Sequence, residues 1–72
     1  MDEKKLKNTL KVERARQNLT QEQLAELVGV TRKTINTVEN GIYIPSTYLA
    51  LKLARVLQVP VEELFQLDET DA

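Results

Sequence analysis

Between Thr31 and Gly41 the chain reads TRKTINTVENG, and the side chains there with chemistry to offer are Arg32, Lys33, Asn36 and Thr37. A guanidinium and an ammonium only donate hydrogen bonds, whereas a carboxamide and a hydroxyl both donate and accept. Such a set suits recognition through hydrogen bonds and charge, not the making of covalent bonds. The rest of the sequence agrees. It holds no His and no Cys, which removes the commonest general base, the commonest metal ligand, thiolate metal sites, disulfides and cysteine nucleophiles. With no nucleophile–base pair and no metal set, an enzyme is the least supported class, and neither a cofactor nor a metal is implied.

For those four side chains to face outward together, the helix carrying them must be held from below. Ile35 and Val38, three apart, supply that inner row. Thr31 caps the start and Asn40-Gly41 closes the end. The preceding segment is equally constrained. Thr20-Gln21-Glu22-Gln23 is a capping box, and it opens a helix with Leu24, Ala25, Leu27 and Val28 at helical spacing that stops at Gly29. Small Ala25 admits a close neighbour, Gly29 can take positive φ, and Val30 anchors the next segment, so two helices can cross over a tight turn as a helix-turn-helix requires. An isolated Ala-x3-Gly would mean little. Six matched positions with two caps carry far more.

The remaining elements follow the same logic. A first helix is expected from near Asn8, with Leu10, Arg14 and Ala15 inward, ending at Asn18 ahead of an inward Leu19. After a loop, Pro45 and Ser46 start a fourth helix with Leu49, Ala50, Leu53, Ala54 and Leu57 on one face, while Lys52 and Arg55 read as solvated. Pro60 and Val61 begin a short fifth helix carrying Leu64 and Phe65. The fold class is all-α, five short helices with brief connections. Alternation in Lys5-Leu6-Lys7 and Phe65-Gln66-Leu67-Asp68 also allows the two termini to pair as a small ribbon.

Seventy-two residues make one domain, and a chain this short buries only about 60% of the surface its unfolded form exposes, so oligomerisation would help. We divide it into a single domain over 1–67 and an acidic tail over 68–72. MDEKKLKN lacks the apolar run of a signal peptide, and no stretch approaches the ~18 apolar residues of a membrane helix, so a soluble, cytoplasmic protein without membrane partners is expected. The net charge of -1 and pI near 5.4 argue at first against nucleic acid. The distribution argues otherwise. From Lys4 to Thr37 eight bases face three acids, a net +5, whereas five acids and no base lie between Pro60 and Ala72. The acidic end would keep a polyanion on the opposite face.

LTQEQLAELVGVTRKTINTVENG, followed by PSTYLALKLARVLQVPVEELF, closely resembles the phage repressor/Cro family of helix-turn-helix regulators, also called the xenobiotic-response-element family, over about residues 9 to 66. The resemblance implies a five-helix repressor-like domain with the helix-turn-helix at helices 2 and 3, binding double-stranded operator DNA as a homodimer, in a family mostly bacterial and phage. It implies that Gln21, at the start of the second helix, meets a backbone phosphate. Thr31 and Asn40 match further phosphate-contact positions. Arg32, Lys33 and Thr37 match the positions that read base edges in the major groove, with Asn36 beside them. Arg32 and Lys33 suit guanine O6 and N7, and Asn36 suits adenine, each good bidentate contact discriminating by about 1–3 kcal/mol. An ion pair between Arg14 and Glu39 is also implied, structural in role.

One departure stands out. Many relatives carry Lys or Arg after Asn-Gly, where this chain has Ile42-Tyr43-Ile44. Tyr43 could give its hydroxyl to a phosphate, or the three side chains could cover the core or a dimer contact. Two functions therefore compete. One is a sequence-specific transcriptional regulator, a repressor above all. The other is an antitoxin or adaptor that uses the same fold to bind a partner protein, and the adjacent bases Arg32 and Lys33 favour the first.

Overall fold

The computed structural model describes residues 6–69. Its helix lengths are set by four residues with left-handed backbone. α1 (Leu10–Arg16) is followed by Asn18 at φ 58°, α2 (Gln21–Val28) by Gly29 at 79°, α3 (Arg32–Glu39) by Gly41 at 74°, and α4 (Thr47–Leu57) by Gln58 at 60°. At each end the next N–H folds back to a helix carbonyl, Leu19 to Arg14, Val30 to Ala25, Ile42 to Thr37 and Val59 to Ala54, at 3.0–3.2 Å. This is the Schellman closure, in which the residue after the left-handed one brings its side chain back over the helix. Leu19, Val30 and Val59 accordingly pack on the core. Ile42 does not, and remains 76% exposed.

The helix starts are equally local. Thr20, Thr31 and Ser46 accept from the backbone N–H of Gln23, Thr34 and Leu49, and the Gln23 side chain completes the capping box on Thr20. At α1 the cap position falls to Thr9, one residue later than expected, and its side chain makes no capping bond. Asn8 does that work from outside the helix, its Oδ1 accepting from Leu10 N at 3.0 Å. A single turn, α5 (Val61–Leu64), completes the five helices.

Leu10, Leu24, Ile35, Val38, Leu53, Leu57 and Leu64 are fully sealed, with Ala25, Val28, Leu49 and Ala54 close behind. α2 packs on both α3 and α4, α1 packs on α3, and α5 on α4. Ala25 is buried on α2, at 3% exposure. Three inward expectations fail. Ala15 faces solvent, Ala50 is half-buried, and Leu27 is 53% exposed because Leu24, Ala25 and Val28 already fill the inner arc of α2.

An antiparallel ribbon joins the first described residues to a segment just after α5. β1 (Leu6–Asn8) pairs with β2 (Phe65–Leu67) in the register Leu6 to Leu67, Lys7 to Gln66 and Asn8 to Phe65. Phe65 therefore belongs to the strand and not to the fifth helix. Strand backbone at φ -131° ends α5 after Leu64. The expected role of Lys5 in this pairing, and residues 70–72 of the acidic tail, lie outside the described residues.

Candidate functional site

The helix-turn-helix geometry brings the first residues of α2 and α3 to one place. Gly29 turns the chain by its left-handed φ, where an added Cβ would meet nothing nearer than Lys52 Nζ at 3.8 Å. Close packing of α3 on α2 then sets Gln21, the first residue of α2, beside Arg32, Lys33 and Asn36, and these four line one shallow, open depression. Ile35 and Val38 are buried beneath it, so α3 cannot rotate without exposing them.

Within the depression the polar groups are joined to each other. Arg32 Nε donates to Gln21 Oε1 at 3.3 Å, and Gln21 Nε2 donates to Asn36 Oδ1 at 3.2 Å. The same Nε2 donates to Glu39 Oε1 at 3.0 Å. Asn40, the C-cap of α3, donates from Nδ2 to Asn36 Oδ1 at 3.3 Å. Thr31 is the exposed N-cap, and the Thr37 hydroxyl donates to the Thr34 carbonyl at 2.9 Å. Lys33 and Asn36 are exposed.

Below this surface lies the Arg14–Glu39 pair. Arg14 Nε and Glu39 Oε2 are 2.6 Å apart, Arg14 Nη2 reaches Oε1 at 3.3 Å, and Nη1 donates to the Leu19 carbonyl at 2.8 Å. The two side chains retain 15% and 4% of their exposure. A buried charge needs such pairing, and the guanidinium fork supplies it in two contacts.

Tyr43 lies apart from the depression. Its backbone N–H bonds to the Thr37 carbonyl at 3.2 Å, which ties the loop to α3, while Ile42, Tyr43 and Ile44 are all exposed and none covers the core. Tyr48 and Leu51 of α4 are exposed too, and Lys52 Nζ sits 5.6 Å over the Tyr48 ring, so Lys52 is half-buried instead of fully solvated. Sequence reasoning missed two contributors. Asn8 Nδ2 donates to the Val38 carbonyl at 3.0 Å, pinning the end of α3 to the start of α1 across thirty positions. The bonds of Gln21 to Asn36 and Arg32 also span separations that no local pattern signals.

Chemically, the depression gathers a guanidinium, an ammonium and carboxamides beside the N-terminal turns of two helices, a combination suited to anionic, acceptor-rich surfaces. No helix among the described residues is long and apolar enough to cross a membrane. A family model described as helix-turn-helix matches residues 10–64. The uncharacterized HTH-type transcriptional regulator YgzD of Bacillus subtilis is 45% identical over 64 residues, covering 89% of this chain and 97% of that protein. An uncharacterized HTH-type transcriptional regulator of Methanocaldococcus jannaschii is 50% identical over 60 residues, covering 83% and 91%. The crystal structure of the restriction-modification controller protein C.AhdI from Aeromonas hydrophila superposes with a TM-score of 0.72 at 39% identity, over 78% of this chain and 85% of that one.

Proposed function

The chain belongs to the helix-turn-helix family of transcriptional regulators, and from that membership we propose that it binds operator DNA as a homodimer and represses transcription. In this reading α3 enters the major groove, with Arg32, Lys33, Asn36 and Thr37 on base edges and Gln21, Thr31, Asn40 and Tyr43 on phosphates. The observation that carries it is the depression at the head of α2 and α3. Gln21, the first residue of α2, is bonded there to both Arg32 and Asn36, so the backbone N–H groups opening α2, suited to a phosphate, stand beside the α3 side chains suited to base edges. A small core and exposed Ile42, Ile44, Tyr48 and Leu51 support self-association, which would set two copies of α3 about 34 Å apart for half-sites one helical turn apart.

The test is a binding titration on DNA from the promoter region of the protein's own gene, with light scattering for the oligomeric state. Saturable binding, with log affinity falling linearly in log salt, is the expected result. Arg32→Ala should remove the preference for that DNA over other sequences, and Gln21→Ala should weaken binding to specific and unrelated duplexes alike while leaving a preference for that DNA. Indifference to both substitutions would sink the proposal. The exposed apolar side chains of the α3–α4 loop and α4 favour a second reading, an antitoxin or adaptor that binds a partner protein there. Under that reading Arg32→Ala leaves the protein's activity unchanged, and Tyr48→Ala abolishes it.

A further inference from the structure

The Gln21 carboxamide lies between two groups that leave it only one orientation. Glu39, ionised and held by Arg14, can only accept, and Gln21 Nε2 faces its Oε1 at 3.0 Å. Arg32 can only donate, and its Nε faces Gln21 Oε1 at 3.3 Å. Reversing the amide would set oxygen against carboxylate and N–H against guanidinium. The orientation passes onward. Gln21 Nε2 also faces Asn36 Oδ1 at 3.2 Å, so Asn36 must turn its oxygen toward Gln21, and that oxygen takes a second bond from Asn40 Nδ2 at 3.3 Å.

Asn36 is therefore left with Nδ2 as the group it offers outward. Reading adenine in the bidentate mode needs Oδ1 to accept from N6 while Nδ2 donates to N7, and here Oδ1 is occupied twice. Arg32 and Lys33 offer donors alone. The Thr37 hydroxyl, its proton spent on the Thr34 carbonyl, offers lone pairs from a half-buried position at the edge.

We propose that Glu39 is a positioning residue for sequence reading. Through Gln21 it fixes Asn36 as a donor, so that Arg32, Lys33 and Asn36 together select major-groove edges rich in acceptors, guanine O6 and N7 or thymine O4, and not the adenine pair. This rests on the DNA-binding reading above and sharpens it, replacing the preference of Asn36 for adenine expected from its residue type.

The first measurement needs no DNA. Solvent exchange of the side-chain NH2 groups, followed by 15N NMR on the free protein, should show Gln21 protected by at least about fivefold over Asn36, whose NH2 exchanges like a free amide. The reverse order overturns the proposal. A protein that then binds no DNA refutes the DNA reading, with the amide result still standing.

The second measurement is selection from a random duplex pool with the wild-type chain, Asn36→Ala and Glu39→Gln. The position whose preference disappears in Asn36→Ala should be guanine or thymine in the wild-type selection, and adenine there overturns the proposal. In folded Glu39→Gln the new amide can donate to Gln21 Oε1, and discrimination against adenine at that position should fall about tenfold. An unchanged base profile with only a lowered melting temperature would mean that Glu39 merely supports the fold. Because Asn36 is exposed, the comparison of wild type with Asn36→Ala can still overturn the proposal if Glu39→Gln does not fold.

Discussion

Arg14 and Glu39 join the first and third helices through a contact of 2.6 Å, with the carboxylate almost sealed from water. Replacing Arg14 by Met would strand that carboxylate with Gln21 as its remaining side-chain donor. We expect a loss of about 3 kcal/mol, measured by urea denaturation, which is a large fraction of the stability available to a domain of this size. The double variant Arg14→Met, Glu39→Leu should recover most of that loss, because no unpaired charge is then left inside. If the single and double variants are equally unstable, the pair matters for its shape and not for its charge.

Leu51 and Leu53 are two residues apart on α4 yet 54% and 0% exposed. Leu53→Ala should cost about 2–5 kcal/mol through lost burial and the cavity left behind, whereas Leu51→Ala should stay within about 0.5 kcal/mol. Chemical denaturation of the two variants side by side checks the assigned rotation of the helix. Equal effects would mean that α4 is turned differently against the core.

Gln58 holds the left-handed conformation that Gly29 adopts without strain at the end of α2. Gln58→Gly should raise stability by about 0.5–1 kcal/mol, and Gly29→Ala should lower it by about 1–2 kcal/mol. The cost at Gly29 comes from backbone conformation, since the added methyl would meet no atom closer than 3.8 Å. Melting temperatures moving in opposite directions are the expected outcome.

Removing only the hydroxyl of Tyr43 tests whether the loop after α3 contributes a phosphate contact. Tyr43→Phe should weaken binding by about 1 kcal/mol, or roughly fivefold, to the same extent on specific and unrelated duplexes. The melting temperature should hold, because the ring is exposed. An effect confined to one sequence would place Tyr43 on a base.

Much of this architecture was legible because its determinants are local. The capping box at Thr20 and Gln23, the caps at Thr31 and Ser46, and the glycine ends at Gly29 and Gly41 each involve residues a few positions apart. Leu27 reads as inward in the sequence because an apolar residue at helical spacing can fall just outside the buried arc, and which arc is buried depends on where α3 and α4 land. Phe65 reads both as the end of α5 and as the first residue of a ribbon, and the choice is open in the sequence because it turns on β1 capturing the backbone beyond Leu64. Within the site, the outward row of α3 was readable from Ile35 and Val38. The polarity of Asn36 was not, because it is decided by Gln21 fifteen positions earlier and by Glu39 beneath.

The ribbon of Leu6–Asn8 with Phe65–Leu67 also gives the molecule a chronology. Its strands can meet only by closing a loop of about sixty residues, whereas each capped helix forms from neighbours, and closure entropy grows with loop length. A chain emerging from the ribosome can complete α2, the turn and α3 before β2 exists, and it gains the ribbon last. In the finished protein the same joint should open first, so deuterium should enter the amides of Leu6–Asn8 sooner than those beneath α3, as the two ends part while the helix-turn-helix stays intact.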